Sequence, residues 1–303
     1  MILINEQALH IITMNRPYDL NSTLHSIFRC KYVPKKILIL DNNSSLNNKK
    51  KYKNIFLKRK NIKWYFSENN LGVAGGRSFL LKKSSSSEII EIDDDVNIED
   101  ELFFFKIHNT FLTKSNSVGI LAFNVINFHT RKHVRKEFPF YFKGNYSKSS
   151  YSEVAWFIGA GHAFRLDLIN KIGQYRDFFP YGSEEQDFSI RAIDAGFKII
   201  FCNNLKIYHK QSPTARKILN KELAILLFTN RLKFVLLNLP LFLFPIHFVL
   251  RGGQTVIKNR NLIIPFKSLL NIFKQIGYIR SCRKPISLKS IIYLIKIKGQ
   301  VFF

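Results

Sequence analysis

Three consecutive carboxylates, Asp93-Asp94-Asp95, follow the apolar run EIIEI at 88–92. Like charges this close repel one another unless a cation screens them. Hard divalent ions such as Mn²⁺ or Mg²⁺ take oxygen ligands, use one or two carboxylates and leave other positions to phosphates. Alternation at a strand end sends Asp93 and Asp95 to one side and Asp94 to the other, which makes Asp93 and Asp95 the working pair. A solvated acidic turn running on into NIEDE is the competing reading of the same residues. A second feature, SENNLGVAGGRSF, is a Gly-rich turn opening a helix, and a helix N-terminus favours an anion such as a pyrophosphate. It has neither the Lys-Ser/Thr of a Walker loop nor the strict dinucleotide fingerprint, and tight packing alone would also use such glycines. Third, YGSEEQDFSIRAIDAGF puts Glu184, Glu185 and Asp187 in the first turn of a helix. Acids there complement the helix dipole, and one of them can take a proton from a hydroxyl. Asp187 and Arg191, spaced i,i+4, can instead form an ion pair. His209 ends the run LKIYH, where an imidazole can supplement an oxygen-rich metal site.

The elements that must position these residues are short apolar runs separated by helical patterns. LHIIT (9–13), KILIL (36–40), IKWYF (62–66) and EIIEI (88–92) read as buried strands. Helices are expected over 18–30 and from the Gly-rich turn through Leu81. This is the pattern of βαβ crossovers and a mainly parallel sheet covered by helices on both faces. Ligands of such sheets lie beyond the carboxyl ends of the strands, and Thr13, Asn15, Asp41, Asn69 to Gly72 and Asp93 to Asp95 all fall there. Residues 117–165 read as antiparallel strands joined by a charged hairpin, FHTRKHVRKEF, with VAWFIGAGHAFR a strand broken at Gly159-Ala160-Gly161. Helices LDLINKIG and EEQDFSIRAIDAG follow, the second closed by Gly196. FKIIF and LKIYH read as two further short strands. Beyond Ser212 the pattern changes to long, apolar and basic helices.

With 303 residues and 14% aromatic residues, the chain can bury one substantial core and global disorder is excluded. From Lys206 onward, 18 Lys and Arg face a single acid, Glu222, a balance of +17 that leaves +9 for the first 205 residues. So basic a tail needs an anionic partner: nucleic acid, anionic lipid or a phosphorylated substrate. Its Lys and Arg alternate with Leu, Ile and Phe, a mixture that suits a membrane surface better than nucleic acid. The apolar stretch Phe234 to Leu250 is short of the ~20 residues that span a bilayer and contains Asn238, Pro240, Pro245 and His247. A segment lying in the membrane interface is expected there. The opening MILINEQALHIITMNRPYDL lacks the basic start and cleavage site of a secretory leader. Cys30, Cys202 and Cys282 have no metal-ligand spacing, so a reducing, cytoplasmic setting is expected.

Taken in order, these motifs are more specific than any one alone. IITMNRP, ILILDNNSS, ENNLGVAGGR, IDDDV as the DxD element, WFIGAGHAFR, FFPYGSEEQDFSIRA and IYHKQS follow one another as in family 2 glycosyltransferases. Over roughly residues 8–212 the chain resembles that family, whose fold is GT-A, a Rossmann-like α/β architecture. The resemblance implies a catalytic domain over 1–212, with a nucleotide-binding half to about 100 and an acceptor-binding half beyond, and a basic, amphipathic helical extension over 213–303 that leans on a membrane. It implies that Thr13, Asn15 and Asp41 line the pocket for the donor's base and ribose, that Asn70, Gly72 and Arg77 border the nucleotide and pyrophosphate, and that Asp94 lies beside them. Asp93 would contact ribose or metal, Asp95 would bind Mn²⁺ or Mg²⁺ directly, and His209 would add a further contact. Trp156, Gly159, Gly161 and Asp187 would form the acceptor and sugar pocket. The family's base lies in a Glu-Asp pair; here the pair is Glu184-Glu185, so Glu185 takes the position of Asp, with Glu184 the alternative.

The implied reaction is a single inverting displacement. Glu185 deprotonates an acceptor hydroxyl, which attacks the anomeric carbon of a nucleotide-diphospho-sugar while the metal neutralises the departing diphosphate. A glycan or lipid-linked acceptor of bacterial surface-polysaccharide assembly is expected, with the protein peripherally attached to the inner face of the cell membrane. A nucleotidyltransferase would share the nucleotide core but needs a Gly-rich basic loop at the first strand, which TMNRPYDL lacks. A nucleic-acid-binding protein would carry its charge on polar, aromatic-studded surfaces, and a non-catalytic module would have no need of the intact acids.

Overall fold

The strand Ile2–Thr13 (β1) is flanked in parallel by Tyr32–Asp41 (β2) and Glu88–Asp93 (β4), and β2 in turn pairs with Ile62–Phe66 (β3). Leu9, Ile11, Ile37, Ile39, Ile89 and Ile90 are fully buried, as continuous β-branched runs must be in a parallel sheet covered on both faces. The computed structural model describes residues 1–52, 59–139, 150–211 and 221–299. The crossovers are helices Pro17–Phe28 (α1), Leu46–Tyr52 (α2) and Gly72–Leu81 (α3). Pro17 opens α1 where its missing N–H costs nothing, and Leu20, Leu24 and Ile27 form its buried face.

The second half completes a nine-stranded sheet. Val96–Asn97 (β5), helix Phe103–Thr113 (α4), Val118–Asn127 (β6), Tyr151–Val154 (β7), Gly161–Arg165 (β8), helices Leu166–Ile172 (α5) and Glu184–Asp194 (α6), and Lys198–His209 (β9) follow in chain order. The spatial order is β3-β2-β1-β4-β8-β6-β9-β5, with β7 also on β9. β8 runs antiparallel to both β4 and β6, whereas β6 and β9 are parallel. The carboxyl ends of β1, β2, β3, β4, β6 and β9 therefore share one edge with the start of β8.

Two expectations are corrected here. FKIIF and LKIYH are one strand, because β9 continues past an irregularity between Cys202 and Lys206, where its register on β6 shifts. That shift lets one strand pair with β7 at its start and with β5 at its end. The charged segment 128–138 makes a turn, with Asn127 N–H donating to Lys132 O and Arg131 N–H to Asn127 O. It then enters a turn of 3-10 helix, Arg135–Glu137, instead of returning as a strand against β6. The antiparallel partner of β6 is β8.

Helices Lys221–Asn238 (α7), Leu243–Asn259 (α8), Ile263–Lys274 (α9), Ile276–Cys282 (α10) and Leu288–Lys296 (α11) follow. The apolar stretch 234–250 divides between two surroundings. Phe234, Val235, Leu237 and Leu239 lie in the same hydrophobic cluster as Phe164, Phe179 and Phe188, while Leu241, Phe242 and Val249 are more than half exposed. At about 1.5–3 kcal/mol per fully buried large apolar side chain, the inner residues fasten α7 to the sheet domain. No helix among the described residues is long and apolar enough to cross a membrane.

Candidate active site

Asp93 ends β4, and Asp94 and Asp95 form the turn into β5. Asp94 is fully buried and pairs with Arg16. Burial, with Asp95 beside it, pushes Asp94 up to about 7 against the pull of Arg16. Asp93 and Asp95 reach toward His209, Asp95 through Oδ1 while its Oδ2 stays on Arg16 beside Asp94. His209 Nε2 lies 3.1 Å from Asp95 Oδ1 and 3.8 Å from Asp93 Oδ2. The cause is backbone pairing: β5 runs antiparallel to the end of β9, with Val96 opposite His209, and Lys210 N–H donates to Asp95 O. One ligand atom from each of Asp93, Asp95 and His209 lies within 4.8 Å of the others. An ion with bonds of about 2.1 Å holds its donors no more than about 4.2 Å apart, so a small closing movement would complete the set. Two carboxylates and an imidazole suit Mn²⁺ or Mg²⁺, with remaining positions left to phosphate and water.

Two residues not anticipated in the sequence complete this cluster. Arg16 Nη1 donates to Asp95 Oδ2 at 3.0 Å while the same guanidinium holds Asp94. Glu137, carried by the 3-10 turn, places Oε2 3.1 Å from His209 Nδ1. A carboxylate on the far nitrogen fixes the ring and its tautomer and leaves Nε2 toward the acids. Burial alone would lower the His209 imidazole, but in the metal-free chain its bonds to Asp95 and Glu137 and the charge of Asp93 push it up to about 10, and a divalent ion bound at Nε2 would displace that proton.

The loops after β1, β2 and β3 interlock. Thr13 Oγ1 lies 3.1 Å from Tyr52 Oη, and Tyr52 Oη accepts from Arg16 N–H. Asn15, at φ +59°, accepts from Ser45 N–H and Asn48 through Oδ1. Asp41 is fully buried; Oδ1 accepts from Ser44 N–H, and Oδ2 accepts from no described residue. Asn70 Oδ1 accepts from Asn42 Nδ2 and Gly72 N–H. Gly72 sits at φ +69°, where a Cβ would lie 2.8 Å from Pro180 O, so the close approach of the Gly-rich turn to residue 180 requires glycine. Val73 N–H donates to Pro180 O across the same contact. Thr13, Asn15, Asp41, Asn70 and Gly72 thus line one continuous edge.

Arg77 is placed differently from its expected position bordering the nucleotide. It is buried beneath the edge, with Nε 3.4 Å from Glu91 Oε2, Nη1 3.5 Å from Glu185 Oε1, and Nη2 donating to Gly159 O at 2.9 Å. Glu91 also faces His10 at 3.5 Å and His162 at 3.1 Å, and accepts from Tyr175 Oη at 2.9 Å. Burial would raise the Glu91 carboxyl, but hydrogen bonds from His10 and His162 and the charges of His162 and Arg77 hold it well below the usual carboxylate range. A charge inside a buried strand needs such partners, so the Glu in the middle of EIIEID was the sequence signal for this network.

Glu184 and Glu185 open α6 behind Ser183, a non-glycine residue at φ +77°. Glu184 is buried; burial and the adjacent Glu185 push its carboxyl up to about 8. Glu185 is more open, its side chain 17% exposed, and is held by Arg77. Gly159 leaves the space for it: a Cβ on Gly159 would overlap Glu185 Oε1 and lie 2.9 Å from Arg77 Nη2. Gly159→Ala should therefore displace the carboxylate and cut turnover by roughly 10²-fold, the cost of about 1 Å of misplacement. The change should fall on kcat, with donor KM moving little, in steady-state assays.

Two residues assigned to the acceptor pocket lie elsewhere. Gly161 opens β8 inside the core, where a Cβ would overlap Ile207 and crowd Phe123. Asp187 is fully buried and pairs with Arg176 and Arg191 at 2.9 Å each, accepting also from Asn238 Nδ2 of α7. The i,i+4 pairing is the use the structure makes of it. Trp156 is half-buried in the loop between β7 and β8.

The family model for glycosyl transferase family 2 matches residues 9–173. A similar sequence is an uncharacterized protein of Haemophilus influenzae, 35% identical over 178 residues, or 56% of this chain and 92% of the relative. Among solved structures, the mannosyltransferase PcManGT from Pyrobaculum calidifontis, in complex with GDP-Man and Mn²⁺, matches with TM-score 0.56 and 11% identity over 96% of this chain and 79% of that one. GalNAc-T7 with UDP, GalNAc and Mn²⁺ matches with TM-score 0.59 and 13% identity over 89% of this chain and 57% of its own. S. aureus TarS matches with TM-score 0.51 and 19% identity, over 76% of this chain but only 40% of its own. At these identities the structural likeness speaks for the shared GT-A fold. With more than half its length matched by the family model, the chain belongs to glycosyl transferase family 2.

Proposed function

We propose that this glycosyltransferase moves a sugar from a nucleotide-diphospho-sugar to a hydroxyl of a glycan or lipid-linked acceptor by a metal-dependent, inverting displacement. The observation that carries this reading is the convergence of Asp93, Asp95 and His209 within 4.8 Å at the edge that also holds Glu185 and the Gly-rich turn. Asp93, Asp95 and His209 would hold the ion, with Arg16 and Glu137 fixing Asp95 and His209. A bound Mn²⁺ or Mg²⁺ neutralises charge on the departing diphosphate. Asp41 Oδ2, buried and bonded by no described residue, would accept from the donor's ribose or base once the loops over it open. Glu185, steadied by Arg77, takes the proton from the acceptor hydroxyl.

Support for the donor class comes from the neighbours of the same fold, PcManGT with GDP-Man and TarS with UDP-GlcNAc. A screen of nucleotide sugars with Mn²⁺, read by nucleotide release, tests it. Release from at least one donor that depends on Mn²⁺ and on acceptor is expected; no release from any of them would overturn the reading.

We place the protein at the inner face of an anionic membrane, as part of surface-polysaccharide assembly. Phe242, Val249, Ile257, Leu262, Phe266 and Phe273 of α8, α9 and the turns before them are more than 60% exposed. Lys258, Arg260, Lys267 and Lys274 are interspersed with them. Apolar side chains that insert beside cations that meet anionic lipid favour a membrane over nucleic acid. The free thiols Cys30, Cys202 and Cys282 fit a reducing compartment. The protein should co-sediment with vesicles containing phosphatidylglycerol and dissociate at high salt. Replacing Phe242, Phe266 and Phe273 by Ser should weaken binding by about tenfold or more. Undiminished binding of that variant would remove this face from the interaction.

A further inference from the structure

A cleft of about 540 Å³ lies between α7 and α8, outside the site described above. Its walls combine cations and apolar side chains: Lys221, Arg231, Arg251 and Lys258 with Leu227 and Phe228. The volume is that of a small-ligand site, and Arg251 lies near enough to Arg231 to repel it. Arg231 is the informative residue. Its Nε and Nη2 are buried and hydrogen-bond to no described residue. Its guanidinium lies 5.3 Å from the centre of the Phe234 ring, which holds the plane in place. The one acid of the C-terminal region, Glu222, does not line the cleft, and residues 212–220 contain no Asp or Glu.

Burial, with the charge of Arg251 beside it, pulls Arg231 down to about 10. Two neighbouring guanidinium groups, of which Arg251 donates to Gln254 Oε1 at 2.9 Å while Arg231 Nε and Nη2 bond to no described residue, favour an anion beside them. A planar, fixed Arg fork is the side chain that best matches phosphate oxygens. Leu227 and Phe228 offer no partner to a wholly polar ligand but cover an alkyl chain.

The cleft also abuts the turn that leads into α6 and the proposed base. Asn230, next to Arg231, donates through Nδ2 to Tyr181 O at 3.0 Å and Gly182 O at 3.3 Å. A Cβ on Gly182 would lie 2.7 Å from Leu227 Cδ2, so this cleft wall touches the turn that leads into Glu184 and Glu185.

We propose that the cleft binds the phosphate of an amphiphilic acceptor, with phosphate oxygens on Arg231 and Arg251 and the adjoining alkyl chain against Leu227 and Phe228. This rests on the reading above in which the acceptor is lipid-linked, and it assigns that acceptor's phosphate a place beside the turn that leads into α6 and the proposed base.

The test is calorimetric titration of the full chain with three monomeric probes: octyl phosphate, inorganic phosphate and octyl glucoside. Octyl phosphate should bind about tenfold or more tighter than either of the others, since only it satisfies both the guanidinium groups and the apolar wall. Arg231→Gln and Arg251→Gln should each weaken octyl phosphate about tenfold. Since each substitution relieves the repulsion between the two guanidinium groups, neither should lower the thermal midpoint. Lys258→Ala, at the exposed rim where folding is not at stake, should weaken binding about threefold. Equal affinity for inorganic phosphate, equal affinity for octyl glucoside, or unchanged affinity in the variants would each overturn the proposal. Nucleotide release by the wild-type enzyme separates the two readings: its absence alongside intact octyl phosphate binding would sink the donor chemistry and leave the cleft standing.

Discussion

Asp95→Asn should lower metal-dependent nucleotide release by about 10²–10³-fold, and Mn²⁺ affinity by a similar factor. Asparagine keeps the volume and one oxygen of Asp95 but removes the charge that faces His209 at 3.1 Å and Arg16 at 3.0 Å. The fold should survive, because Arg16 still holds Asp94 and the substitution removes one of three adjacent carboxylates. Effects should grade with distance from the ion. His209→Ala loses a ligand, whereas Glu137→Gln loses only the carboxylate behind His209 Nδ1 and should cost about 10–100-fold in affinity. Mn²⁺ should raise the thermal midpoint of the wild type, since an ion that binds only the folded chain adds about 2.7 kcal/mol at one hundred times its Kd. In Asp95→Asn that increment should largely vanish. Equal nucleotide release and an equal Mn²⁺-induced shift in wild type and variant would remove Asp95 from the metal site.

The sequence was most legible where local pattern and tertiary role coincide. β1, β2 and β4 fell on their apolar runs because a strand buried on both faces has no polar alternation to blur it, whereas IKWYF matches β3 in its bounds but lies at the edge of the sheet with none of its residues buried. Asp93 and Asp95 do meet at His209, but β4 ends at Asp93, and Asp94 and Asp95 lie in the turn before β5, where both contact Arg16, so strand alternation is not what sorts them. What was not legible depended on pairings between distant segments. β9 reads as two strands because the irregularity after Cys202 interrupts its apolar pattern, yet that same irregularity lets its end meet β5 and deliver His209 to Asp95. Glu137 lies in a run of charges whose local pattern resembles any solvated turn; only the 3-10 turn after β6 brings it to His209. Arg77 carries the charge expected at a diphosphate, but it faces inward onto Glu91 and Glu185, which no helical periodicity distinguishes from facing outward.

The C-terminal helices show the same division. Phe234 to Leu250 is mostly apolar in sequence, yet much of its first part belongs to the core while Leu241, Phe242 and Val249 lie at the surface. Asn230, Lys233 and Asn238 on α7 explain the difference: they bond to Tyr181 O, Phe178 O and Asp187, so α7 holds the loop that opens α6 from behind. The helix that leads toward the proposed membrane face is thus the one that supports the proposed base. Anything that repositions α7 at a bilayer acts on residues 178–187 directly.

Glu185→Gln should cut sugar transfer by about 10²–10⁴-fold at neutral pH, the usual worth of a general base, and Glu184→Gln by much less. The two residues are adjacent, so the difference must come from their surroundings. Glu184 is 3% exposed and its carboxyl is pushed up to about 8 by burial and by Glu185, so at pH 7 it carries a proton and Gln is a close replica. Glu185 has the more open side chain, the contact with Arg77 and the space above Gly159. The sign of the pH effect on stability provides a second, independent readout. A carboxyl raised in the folded state binds its proton there when the unfolded chain, with an ordinary Glu near 4.3, has already lost it. Folding stability contributed by Glu184 is therefore full below about pH 4 and declines as pH rises toward 8. Glu184→Gln should flatten that decline and raise the thermal midpoint at pH 8 relative to wild type, with little change at pH 5. Transfer by Glu185→Gln close to wild type, with Glu184→Gln inactive, would exchange the two roles.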